Sequence, residues 1–115
     1  MRVTSDFWVS ALVRRIFNAG GFAAIGRRGA KEAGAIFILV RSRDGRFRLL
    51  GPAAQSSYDE AGPQERRFGL LLEGEDEALL DARLAKEGRF DPDFWLVEIE
   101  ADDGLIAEVV PITTL

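Results

Sequence analysis

Gly34-Ala35-Ile36-Phe37-Ile38-Leu39-Val40-Arg41-Ser42-Arg43-Asp44-Gly45-Arg46-Phe47-Arg48-Leu49-Leu50-Gly51-Pro52 holds two β-rich runs on either side of Asp44-Gly45. An Asp-Gly pair between such runs is among the strongest short-range hairpin signals. Ala35 to Val40 is apolar without alternation, the pattern of a strand covered on both faces. The stretch therefore predicts a hairpin placed centrally in one mixed sheet.

A two-residue turn at Asp44-Gly45 sets Arg43 opposite Arg46, Arg41 opposite Arg48 and Leu39 opposite Leu50. Alternation then gathers Arg41, Arg43, Arg46 and Arg48 on one face, with Ser42, Phe47, Val40 and Leu49 on the other. Directly opposed like charges destabilise a ladder, so this register asks for a negative cover. Three readings stay open: pairing with Glu98, Glu100 and Asp102, which share a face of their own strand; a tip held in water; or an external polyanion such as RNA or DNA. A three-residue bulged turn would instead send Arg46 and Arg48 to the other face.

Upstream, Thr4 or Ser5 can cap a helix running to Asn18, with Asp6 at its positive end and Gly20-Gly21 closing it. Asp6, Ser10, Arg14 and Asn18 form one narrow polar stripe, and the remainder is largely apolar, so this helix is expected to be covered on more than one side, by the second helix or by another protomer. Gly21 to Arg27 reads as a short strand. Downstream, Arg66 to Glu73 fits two periods, Phe68, Leu70 and Leu72 alternating as in a strand and Phe68, Leu71 and Leu72 spaced as in a helix, and is taken as a strand. Glu75 to Glu87 reads as a helix, acidic at its start and basic at its end, with Gly88 as the C′ residue and Pro92 beyond. Phe94 to Ala101 is a strand with Trp95, Val97 and Ile99 pointing one way. Asp103-Gly104 suggests a turn, and Leu105 to Val110 a last strand. The expectation is a single α+β domain over residues 1–115, in the order αββββαβ with a further β, its helices packed on one face of the sheet.

Composition excludes more than it assigns. The 115 residues are 47% hydrophobic and 30% charged, as in ordinary globular chains. No apolar run approaches the roughly 18 residues of a membrane span, and no signal peptide is evident, so a cytoplasmic setting is expected. Cysteine and histidine are absent, which removes thiol nucleophiles, histidine-based triads and Cys/His zinc sites. Residues 1–52 hold 10 Lys/Arg against 3 Asp/Glu, a net of +7; residues 53–115 hold 5 against 16, a net of −11. Such halves either bind a polyanion or attract each other within the fold, and the second reading is the simpler.

Other polar sets each have a plainer reading. Gln55, Ser56, Ser57, Tyr58 and Asp59, with Glu60, make a dense polar loop that could carry function or be tied by its own side-chain turns. Asp91, Asp93, Glu98 and Glu100 could gather a hard cation, or line a solvated strand and the turn before it. Trp8 and Trp95 read as core anchors. The helix, Gly-Phe strand and Asp-Gly hairpin resemble the opening of the resolvase-like nuclease fold. The metal-binding and Glu-x-Lys positions of that fold fall here on Phe37 or Ile38 and on Leu49 to Gly51, which argues against nuclease activity.

Three segments resemble one family: Ser5 to Leu12 (SDFWVSAL), Gly51 to Glu60 (GPAAQSSYDE) and Phe90 to Glu100 (FDPDFWLVEIE). They look like domain of unknown function 1491, small proteins of alphaproteobacteria. The resemblance implies a bacterial cytosolic setting and brings no activity, cofactor or catalytic residue. The residues favour a non-enzymatic binding or interaction module, with no cofactor and no metal, acting on an unknown protein partner or on itself as a homo-oligomer. The alternatives are a polyanion or nucleic-acid binder using the four arginines with Arg27 and Arg28, and a carboxylate-metal enzyme.

Overall fold

The computed structural model describes residues 3–53 and 66–112. Helix α1 (Ser5–Asn18) leads into strand β1 (Phe22–Arg27). Strands β2 (Ile36–Arg41), β3 (Phe47–Pro52) and β4 (Phe68–Gly74) follow, then helix α2 (Glu77–Phe90), strand β5 (Trp95–Glu100) and helix α3 (Asp103–Val109). The class is α+β as expected, in the order αββββαβα. The five strands form one sheet, ordered β1-β5-β2-β3-β4. All neighbours are antiparallel except β5 and β2, which run parallel at its middle. β2 is buried from Ile36 to Val40, as its unbroken apolar run predicts.

Helices cover both faces of this sheet, not one. Val9, Leu12 and Ile16 of α1 and Ile106 and Val109 of α3 pack on Ile36, Ile38, Val40, Val97 and Ile99. Leu80 and Leu84 of α2 pack on Phe37, Leu39, Phe47, Leu49 and Phe94. The reason is visible in β2, whose odd and even residues are equally apolar and so need a partner on each side. α1 is less enclosed than its sequence predicts. Phe7 and Phe17 face outward, 65% and 50% exposed.

The expected last strand is helix α3. Asp102 caps it, Oδ1 accepting the Leu105 N–H at 2.8 Å, and the Asp103-Gly104 pair lies in its first turn. Leu105, Ile106, Val109 and Val110 recur at helical spacing, and this period outweighs the turn signal. α2 also runs two residues past Gly88, which sits inside the helix, and ends where Pro92 prevents continuation.

The central hairpin loop is one residue longer than a two-residue turn. Arg41 pairs with Phe47 and Val40 with Arg48, leaving Arg43-Asp44-Gly45 as the loop. The Ser42 N–H donates to Arg46 O at 2.9 Å, and the Gly45 N–H to Ser42 O at 3.2 Å. Gly45 adopts φ +88°, while Asp44 keeps a negative φ. A two-residue Asp-Gly turn needs positive φ at both residues. The longer loop places that conformation on glycine alone, where it costs least.

Candidate functional site

The longer loop divides the arginines. Cross-strand partners share a face, so Arg41 goes with Phe47 to the α2 side and Arg48 with Val40 to the α1 side. Arg41 Nε reaches Glu98 Oε1 at 2.9 Å, and its Nη1 and Nη2 reach both oxygens of Glu77 at 2.8 and 3.2 Å. The Glu77 carboxyl is held below its ordinary value, chiefly by the hydrogen bonds from Arg41. Arg41 in turn is held more firmly protonated, by Glu77 first and Glu98 second. Arg48 meets Asp103 at 3.0 Å. Arg43 and Arg46 are exposed on the turn. The single four-arginine face is therefore not formed.

Arg27 and Arg28 lie against the start of β5. The Arg27 guanidinium sits 4.3 Å from the Phe94 ring centroid and donates to Pro92 O, and that of Arg28 lies 6.0 Å from the Trp95 ring centroid. Both tryptophans are packing residues. Trp95 is buried with Nε1 donating to Ala30 O at 2.8 Å, and Trp8 stacks on Phe68 at 5.3 Å.

The four carboxylates proposed for a cation are not gathered either. Asp91 Oδ1 accepts the Asp93 N–H at 3.0 Å in the turn before β5, Glu98 is held by Arg41, and Glu100 ends the strand. Among the described residues no three carboxylates stand close enough to hold a metal. Gln55, Ser56, Ser57, Tyr58 and Asp59 lie outside the described residues. One buried polar contact escaped sequence reading. Ser5 Oγ donates to Gly34 O at 2.6 Å and accepts from Arg66 Nη2 at 3.2 Å, tying α1 to the loop before β2. Its partners lie 29 and 61 residues away, and nothing local signals them.

A cleft of about 710 Å³ opens where the parallel strands β2 and β5 end, lined by Gly21, Phe22, Arg43, Glu100, Asp102 and Asp103 among others. It is shallow and carries mixed charge. Its outer wall leads to the feature that stands apart chemically, the edge strand β1. β1 has one neighbour, β5. From Phe22 to Gly26 it carries no charged side chain. Among the described residues its outer backbone groups have no hydrogen-bond partner. Phe22 at its start is 49% exposed and meets Phe17 edge-on at 5.6 Å. The opposite edge, β4, is met at two points: the Phe68 N–H donates to Pro111 O at 2.8 Å and Phe68 bridges to Ile112, and Arg83 Nη1 reaches Leu71 O at 3.4 Å.

The family model described as "Protein of unknown function (DUF1491)" matches residues 3–106. The chain belongs to the DUF1491 family. It is similar to a protein of A. tumefaciens known from a solution structure, at 47% identity and a TM-score of 0.84, over 100% of this chain and 98% of that one. A crystal structure of a DUF1491 protein from Caulobacter crescentus shows 35% identity and a TM-score of 0.74, covering 96% of this chain and 99% of the other. An NMR structure of a DUF1491 protein from the same organism gives 34% identity and a TM-score of 0.75, over 99% of each chain. A comparison with curated proteins finds no match. DUF1491 thus supplies a shared fold and no activity. No helix among the described residues is long and apolar enough to cross a membrane.

Proposed function

We propose that this DUF1491 protein is a binding module that offers the open edge of β1 to another polypeptide strand and performs no chemistry of its own. The observation that carries this reading is the contrast between the two edges of one sheet. Unpaired strand edges are templates for strand addition, and stable monomers blunt them with charges, proline or a covering segment. β4 is capped in this way at Phe68 and Leu71, whereas β1 presents Phe-Ala-Ala-Ile-Gly beside an exposed aromatic pair. Main-chain hydrogen bonds along such an edge supply affinity, and flanking aromatic side chains supply anchoring area. A polyanion reading would need Arg41, Arg43, Arg46 and Arg48 on one face, and the hairpin register divides them.

A photo-reactive residue placed at Phe22, and in a second variant at Glu73 on the far edge, tests the reading inside the host cell. Discrete protein adducts from position 22 and none from position 73 are expected. Absence of adducts at 22, or equal labelling at both edges, overturns it.

A further inference from the structure

We infer that the strand received by β1 is β1 of a second copy, running antiparallel about a two-fold axis, so that two five-stranded sheets join into one. This rests on the edge reading above and names its partner.

The edge is electrically polarised along its length. At its end stand Arg27 and Arg28, with Arg27 fixed in place by Phe94 and Pro92. At its start Phe22 lies in register with Glu100; the cleft beside it also holds Asp102, which caps α3, and Asp103, which meets Arg48, together with Arg41 and Arg43, so Glu100 alone supplies the free negative charge of this end. Glu100 is exposed and makes no ion pair among the described residues. Antiparallel self-pairing is the arrangement that brings the basic end of each copy to the acidic end of the other, twice. Parallel pairing would set like charge against like. A two-fold contact must be self-complementary, and a strip that is positive at one end and negative at the other meets that condition by itself.

The middle of the strip suits a close approach. Ala23, Ala24 and Ile25 are small or apolar, and Ala24 falls at or beside the axis. α2 packs on β2, β3 and β4 and on Leu96 of β5, and its Gly88 lies beside the Arg27 side chain; an added strand meets the outer edge of β1 and not this face. The exposed Phe17 and Phe22 rings stand at the two ends of the joined strands, where they exclude water from the main-chain ladder.

Sedimentation velocity of the full chain over a micromolar-to-millimolar series tests the inference. The wild type should pass from monomer to dimer. Ala24→Lys places like charges near the axis and should weaken the dimer about tenfold or more. Glu100→Lys should weaken it as well, and adding Arg28→Glu should restore it in part, because the second substitution returns an opposite charge to the end that meets position 100 of the other copy. Amide exchange on the wild type gives a second readout independent of variant folding, with protection of residues 22–25 rising with concentration. A wild type that stays monomeric, or a dimer indifferent to Ala24→Lys, overturns self-pairing. If position 22 still cross-links a different protein in that case, the edge reading stands and only the identity of the partner is lost.

Discussion

The two edges of this sheet are built from similar apolar material and finished in opposite ways. β4 has Phe68, Leu70, Leu71 and Leu72, and its outer side is closed at Phe68 by the chain after α3 and at Leu71 by an arginine from α2. β1 has Phe22, Ala23, Ala24 and Ile25, and is packed on one face by α1, while among the described residues its outer backbone has no hydrogen-bond partner. Covering an edge is the ordinary solution for a protein that must remain alone in water. One finished edge beside one open edge within a single sheet teaches that the openness is a property of β1, not a general looseness of the fold.

The strongest way to break the comparison is to remove the aromatic ring at each edge. Phe68 is 1% exposed and stacks on Trp8, so Phe68→Ala should cost about 3–5 kcal/mol in chemical denaturation. Phe22 is half exposed, and Phe22→Ala should cost the isolated chain only about 1 kcal/mol. Equal losses would mean that β1 is as integral to the single-chain core as β4, and the contrast would fail.

The next effect comes from opening the covered edge. A stop after Val110 removes Pro111 and Ile112, and with them the acceptor for the Phe68 N–H and the bridge to Phe68. A loss of about 1–3 kcal/mol follows from leaving that donor without its partner. Concentration-dependent aggregation should appear alongside it, since both edges are then open. A truncated chain as soluble and stable as the full one would show that the segment after α3 does not protect β4.

Between the edges lies the hairpin, and Gly45→Ala measures its loop. An added Cβ meets nothing within 4 Å there, and only the φ of +88° opposes it, so about 1–2 kcal/mol should be lost. The same position shows how far sequence could be read. Ala35 to Val40 declared a strand buried on both faces, and Asp44-Gly45 located the reversal. The length of the loop turned on the sign of φ at Asp44, which a dipeptide does not specify, and that single residue of shift moved Arg48 to the other face. Leu105 to Val110 was misread for a similar reason. Its helical period and the capping Asp102 were present in the chain, and an Asp-Gly pair in the first turn imitated a hairpin. That β1 lies at an edge was not legible at all. Strand order is set when β5, distant in sequence, inserts parallel to β2 and takes the place beside β1.

The smallest effect concerns how the start of α2 is tied to the sheet. Arg41 ties the start of α2 through Glu77, and β5 through Glu98, to the end of β2. The Glu77 carboxyl is held below its ordinary value of 4.5 by Arg41. A group whose pKa is depressed on folding stabilises the fold fully above its unfolded value, and the contribution disappears as pH falls through the lower folded value. Wild type should therefore exceed Glu77→Gln in melting temperature at neutral pH by a small margin, and the two should converge as pH falls below the usual carboxylate range. Amide exchange in the first turn of α2 should rise over the same range, while residues 22–25 of β1 stay unchanged. Parallel loss at both places would show that the Arg41 cluster supports the whole sheet, the edge strand β1 included.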